Sequence, residues 1–197
     1  EARRVASWSV AMSAFWAIAF SALCLGFMNP ILYTLGASEN TITYARQYMF
    51  FVVVIGALPT VLSNTMSSML RNVGYSKEAA FGLGMGGVLN VILDPIFMFV
   101  IMPDGYEVMG AAIATLLSNV IALIYYIGIY QKVKNVTIIE LPKRIEKVLP
   151  ESKKSLFSVG LPAACSLLLY DLTNMVINML SSSHGDLELA AMGIILK

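Results

Sequence analysis

The chain has 197 residues, 58% of them hydrophobic and 13% charged, with a net charge of +1 and a mean hydropathy of +0.76. About a quarter of the residues in a soluble domain are charged, so this balance excludes an ordinary water-soluble globule and predicts an all-α polytopic membrane protein. With 13 basic and 12 acidic side chains, nothing favours a nucleic-acid partner, and membrane lipid is the expected surrounding.

Five stretches are long enough to cross a hydrocarbon core, which takes about 20 helical residues. Residues 5–37 hold no charge and are long enough to span with tilt or to end in a non-helical piece around Pro30 and Gly36. Residues 47–70 lie between Arg46 and Arg71. Residues 79–102 carry one charge, Asp94, and residues 108–131 carry none. Residues 156–182 carry Asp171 alone, and another apolar run opens at Leu189, the expected start of a sixth span. Uninterrupted runs such as Phe50-Phe51-Val52-Val53-Val54-Ile55 exclude the alternating pattern of barrel strands.

Lys and Arg accumulate in cytoplasmic loops, so their positions set an orientation. Arg3 and Arg4, then Arg71 and Lys77, then the Lys-rich stretch 132–155 fall on one side. That side is expected to be cytoplasmic, in a multi-pass protein of the cell membrane. The acidic turn from Pro103 to Glu107 and the stretch 183–188 with His184 fall on the other. Residues 132–155 contain Pro142 and Pro150 and read as a boundary between lobes or as an ordinary cytoplasmic loop. Residues 143–154 are also compatible with a short surface helix ended by Pro150. No initiator Met or signal sequence opens the chain, which suggests an internal segment of a larger protein whose remaining helices would be its partners.

Asp94 is the most informative residue. A carboxylate inside a spanning helix costs on the order of 2.5 to 3.5 kcal/mol unless it faces protein or water, and such residues usually bind, relay or sense something. Gly82, Gly86, Asn90 and Asp94 recur every four residues and form one helix face. The Gly82-x-x-x-Gly86 pair predicts close approach of a neighbouring helix. Asn90 is placed to donate to Asp94 or to share a cation with it, and Pro95 leaves the Val91 carbonyl without its helical donor. The alternative is a structural carboxylate tied to neighbouring polar groups.

Asp171, Asn174 and Asn178 share a face of the last span at spacings of three and four. They form either a second polar site or a hydrogen-bonded packing network. Both carboxylates lie about three residues, or about 5 Å, beyond the centre of their spans. The 12 Met, 9 Phe and 9 Tyr suit a deformable apolar pocket but serve more often as packing or lipid-facing residues. Trp8 and Tyr130 sit where interface anchors belong, and Cys24 and Cys165 read as buried packing residues. No phosphate loop, metal-ligand cluster or nucleophile triad is written in the chain, so neither catalysis nor a cofactor is expected.

The run Ser68-Met69-Leu70-Arg71-Asn72-Val73-Gly74-Tyr75-Ser76-Lys77, the segment Asn90-Val91-Ile92-Leu93-Asp94-Pro95 and the segment Gly110-Ala111-Ala112-Ile113-Ala114-Thr115 together resemble the multidrug and toxic compound extrusion (MATE) transporters. Tyr44-Ala45-Arg46-Gln47-Tyr48 and Gly160-Leu161-Pro162 also fit. The resemblance implies a two-lobe, twelve-helix transporter of which these spans are the third to seventh. Residues 1–131 would then belong to the N-terminal lobe, 132–155 to the cytoplasmic linker and 156–197 to the C-terminal lobe. It further implies efflux of small organic, often cationic and lipophilic, molecules by antiport with protons or sodium ions. Asn90, Asp94 and Thr115 would handle the ion, Thr115 on the resemblance alone. Asp171 falls near an acidic position of the second lobe, and the first helix of the family, which carries another acid, is not among these spans. A lipid-linked oligosaccharide flippase of the same superfamily and a non-transporting scaffold remain as alternatives. The flippase reading would call for cationic side chains within the spans, and these five contain none.

Overall fold

In the computed structural model of the chain, the described residues are 2–134, 149–183, 185 and 193. The helices are α1 (Ala2–Gly26), α2 (Met28–Thr34), α3 (Ile42–Met49), α4 (Ala57–Asn72), α5 (Ser76–Ile96), α6 (Glu107–Val133) and α7 (Pro150–Ser182). Two π-helical stretches, Phe50–Ile55 and Phe97–Ile101, continue α3 and α5. No strand occurs among the described residues. Four helices are long and apolar enough to cross a bilayer, and the bent pair Ile42–Ile55 with Ala57–Asn72 makes a fifth span. The protein is a multi-pass membrane protein.

Chain order places two compact units, Glu1–Gly26 with Gln47–Val148, and Phe27–Arg46 with Leu149–Lys197. In the first unit α6 packs on α4 and α5, and α4 packs on α1. Its buried residues are mostly small, with Ala112 and Ala114 fully buried and Ala79 1% exposed. Large apolar side chains such as Phe99 (74%) and Val100 (77%) point outward. This inversion suits a lipid solvent, in which helices associate through close backbone approach and gain nothing by hiding large apolar groups from hydrocarbon.

Gly82 and Gly86 are where that approach happens. A Cβ at Gly82 would lie 2.6 Å from Cζ of Tyr126, and one at Gly86 would lie 3.4 Å from the Ala122 Cβ. The Tyr126 hydroxyl donates to the Ala79 carbonyl (2.8 Å), one turn before Gly82, and the ring is buried. Farther along the same crossing, a Cβ at Gly110 would meet the Phe97 carbonyl at 2.7 Å.

The remaining sequence expectations fare unevenly. Residues 5–37 are not one span with a non-helical end: α1 stops at Gly26, and Pro30 sits inside the first turn of α2, where its missing N–H has no intrahelical partner to lose. The second span bends by 50°. The bend falls at Gly56, where a Cβ would collide with the Val52 carbonyl oxygen, and Pro59 denies the Ile55 carbonyl its donor. The Ser21 hydroxyl of α1 donates to the Val54 carbonyl just before the bend (2.8 Å). Pro150 opens α7 and does not end a helix. Tyr130 is only 9% exposed and belongs to the core with Met66, Leu70 and Tyr126, not to an interface. Cys24 is buried as expected, but Cys165 is exposed on α7. The linker residues 135–148, His184 and, except for Gly193, the run from Leu189 lie outside the described residues.

Gly82→Ala should destabilise the helix pair by about 1–3 kcal/mol, because the pinned Tyr126 ring cannot yield. Gly84→Ala, where a Cβ meets nothing within 4 Å, should be neutral or stabilising by up to about 1 kcal/mol. Thermal midpoints of the two detergent-solubilised variants, read by size-exclusion chromatography after heating, check the difference.

Candidate functional site

The close crossing of α5 on α6 carries Asn90 to Thr115. The Asn90 amide nitrogen donates to Asp94 Oδ1 along its own helix and to Thr115 Oγ1 across the crossing, both at 3.1 Å. Thr115 in turn donates its hydroxyl to the Ala111 carbonyl (2.9 Å), and Ser118 donates to the Thr115 carbonyl (2.9 Å). All three central side chains, Asn90, Asp94 and Thr115, are half-buried. One amide therefore ties a carboxylate and a hydroxyl from two helices into a single centre.

The backbone around the centre is made irregular by a proline. Pro95 lies within α5 directly after Asp94. It has no N–H for the Val91 carbonyl, and its ring crowds the preceding turn. Two residues later the helix widens into the π-helical stretch Phe97–Ile101, closed by a bond from the Met102 N–H to the Phe97 carbonyl (3.1 Å). π-Bulges are frequent at functional sites, where they re-aim side chains within a helix.

The centre has a third wall that the sequence reading did not single out. Thr60, Ser63 and Asn64 of α4 line a cavity of about 210 Å³ together with Asn90, Thr115 and Asn119. The signal was present: Thr60, Ser63, Asn64 and Ser67 recur at three- and four-residue spacings along one face of α4. Against the many hydroxyl residues of that span, nothing in the sequence told which neighbour this face would meet.

In the second unit, Asp171 is exposed and Asn174 and Asn178 are half-buried along α7. Among the described residues no hydrogen bond joins these three side chains. In the same unit Arg46 donates from Nε to Asn29 Oδ1 (2.7 Å).

Fold and centre together define a polytopic helical membrane protein with a polar cluster built into its spans. The MatE family model matches residues 1–96. The chain is 28% identical over 172 residues to the multidrug export protein MepA of Staphylococcus aureus (strain NCTC 8325 / PS 47), which covers 86% of this chain and 36% of that protein. It is also 28% identical over 190 residues to the protein of the same name from Staphylococcus haemolyticus (strain JCSC1435), covering 96% of this chain and 41% of that one. Among solved structures, the inward-facing conformation of a multidrug resistance MATE family transporter superposes with a TM-score of 0.83 at 27% identity, covering 96% of this chain and 42% of that one. An outward-facing conformation gives 0.75 at 28% identity, covering 90% and 38%. Family model, relatives and solved structures all indicate a fragment of a MATE family protein. Its all-helical fold is that of these twelve-helix, two-lobed proteins, and it spans about two fifths of the length of the relatives it matches.

Thr115→Val should leave one Asn90 amide hydrogen without its acceptor at a cost of about 1–3 kcal/mol, and Thr115→Ser should recover most of the loss. Thermal unfolding of the two purified variants beside the parent tests this.

Proposed function

We propose that this chain forms part of a secondary active efflux transporter that exports small organic molecules, often cationic and lipophilic, in exchange for protons or sodium ions. The observation that carries the reading is the Asn90 amide shared between the Asp94 carboxylate and the Thr115 hydroxyl. Support comes also from relatives described as multidrug export proteins, matched along most of this chain.

The residues suit the task chemically. A carboxylate takes up either a proton or a cation, and Asp94 supplies one at this centre. With Asp94 neutral or ionised, Asn90 holds it against Thr115 by donating from Nδ2. If the amide turns over, Oδ1 faces inward, and Asp94, Asn90 and Thr115 offer three oxygens, the ligand type that hard cations such as sodium prefer. The same three side chains thus accommodate either ion, and exchange between the two arrangements needs only one amide rotation.

In this reading residues 1–131 belong to the first lobe, 132–155 form the linker and 156–197 begin the second lobe. The ends bearing Arg3, Arg4, Arg71, Lys77, Lys132 and Lys134 face the cytoplasm. Asp171, Asn174 and Asn178 are assigned to a second-lobe polar face. The remaining helices of the transporter and surrounding lipid are its partners.

Asp94→Asn should insert and fold normally but lose gradient-driven export, with at least about a hundredfold lower initial rate, the loss expected when a mechanism has no substitute for the group that carries the exchanged ion. The measurement is efflux of a fluorescent organic cation from proteoliposomes holding the intact transporter, with proton and sodium gradients imposed separately. Parent-like export by a well-folded Asp94→Asn variant would leave Asp94 a structural carboxylate outside the coupling, and no export by the well-folded parent under either gradient would sink the transporter reading.

A further inference from the structure

Arg71, Lys77, Lys132 and Lys134 stand exposed at one end of the packed helices α4, α5 and α6. Basic residues gather at the cytoplasmic ends of membrane helices without any ligand, but the placement of two of these is more specific. Gly86 lies against Ala122 and Gly82 against Tyr126, so α5 and α6 pass each other residue for residue. Continued along both helices, that register brings Glu78 level with Tyr130 and Lys77 level with Gln131, beside Lys132.

The same two lysines also share a groove. Lys77, Phe81 and Gly84 form one stripe of α5 at spacings of four and three, and Tyr125, Gly128 and Lys132 form one stripe of α6 at three and four. The stripes meet where the Phe81 and Tyr125 rings touch, with centroids 5.5 Å apart. The Tyr125 hydroxyl is spent on the Glu78 carbonyl (3.3 Å), which fixes its ring, while Phe81 is 62% exposed. A Cβ at Gly84 or Gly128 would meet nothing within 4 Å, so the groove stays open below the rings. Among the described residues neither ammonium has an ion-pair or hydrogen-bond partner.

This arrangement selects a ligand that is anionic at one end and apolar below. Axes of close-packed helices lie about 8 Å apart, and a lysine lays its stem along apolar surface while its ammonium reaches for the headgroup level. Both ammonium groups therefore come within reach of one phosphate, whose charge relieves their mutual repulsion. Phe81 lies about 6 Å deeper than Lys77 at 1.5 Å per residue, the level of the first methylenes of a lipid chain. A soluble anion would leave the aromatic floor uncovered, and a zwitterionic headgroup would set its own ammonium against the lysines.

We propose that Lys77 and Lys132 hold the phosphodiester of an anionic phospholipid whose acyl chains lie in the α5–α6 groove over Phe81 and Tyr125. On the orientation adopted above, this lipid belongs to the cytoplasmic leaflet. The site goes beyond the transport reading, and occupying it needs neither substrate nor gradient.

The test uses the intact transporter in nanodiscs of equimolar phosphatidylglycerol and phosphatidylethanolamine with identical chains. Phe81 is replaced by p-benzoylphenylalanine, which on illumination bonds to whatever C–H lies beside it, and the lipid adducts are weighed by mass spectrometry. Val100, 77% exposed at the other end of the same span, is replaced likewise as the reference. Attraction to an anionic headgroup is about fivefold per lysine, so the phosphatidylglycerol to phosphatidylethanolamine ratio at position 81 should be about twenty-fivefold, against about one at position 100. Lys77→Gln with Lys132→Gln should bring it near one, and Lys77→Arg with Lys132→Arg should keep it. Lys134→Gln with Lys154→Gln, an equal loss of exposed charge elsewhere, should leave it unchanged. A ratio near one in the parent, or one that survives the double Gln variant, overturns the proposal. Equal loss in the Lys134 and Lys154 pair also overturns it, since diffuse surface charge would then be enough. Adducts to protein alone at position 81 overturn it as well, because another helix would fill the groove.

Discussion

The approach of α5 to α6 at Gly82 is the contact on which the rest of the first unit depends. In hydrocarbon, burying a large apolar side chain gains little, so helices are held by close packing and by hydrogen bonds that would otherwise be lost. Gly82 leaves room for the Tyr126 ring close to the α5 backbone, and the Tyr126 hydroxyl reaches the Ala79 carbonyl. Once that distance is set, Gly86 and Ala122 follow one turn later, and Asn90 arrives within hydrogen-bond reach of Thr115 after one turn more. A bulky residue at Gly82 would part the helices along this whole line. The polar centre is thus a consequence of small residues placed eight positions earlier.

Irregular backbone in this unit is placed where it is protected or bonded. The π-helical stretch after Pro95 is crossed by α6 at Gly110, which lies against the Phe97 carbonyl. The bend at Gly56 receives the Ser21 hydroxyl from α1 at the Val54 carbonyl. Non-helical or widened backbone at membrane depth is tolerated only where protein or water satisfies it. The same rule explains why the span can turn by 50° just before α4 and still present Thr60, Ser63 and Asn64 to the centre: the bend is built of a glycine, a proline two residues into the following helix and a donor from a neighbour.

The polar stripe of α7 shows how little periodicity alone says. Asp171, Asn174 and Asn178 share a face at the same spacing logic as Gly86, Asn90 and Asp94. Along α5 the stripe meets α6, and its amide finds both a carboxylate and a hydroxyl. Along α7 the three side chains make no bond with each other among the described residues. Tyr130 makes the converse point. Its position near the end of a span reads as an anchor at the membrane surface, yet the helix winds it inward to pack with Met66 and Leu70.

What the residues by themselves determined is everything governed by hydropathy and by local spacing. Long uncharged runs dictate membrane helices because lipid leaves the backbone no other partner than itself. The i, i+4 repeat dictates that Gly82, Gly86, Asn90 and Asp94 share a face, and Pro95 dictates a break in the bonding beside them. The family motifs supplied Thr115, which no spacing within its own helix would have selected. What only the tertiary structure decided is which faces meet. That α4 turns Thr60, Ser63 and Asn64 toward Asn90, that Ser21 of α1 bonds the widened turn at Phe50–Ile55 and that α6 packs on the one at Phe97–Ile101 depends on contacts between residues far apart in sequence. Such contacts are chosen by the shape of whole helix surfaces, which a one-dimensional pattern of polar and apolar residues does not carry.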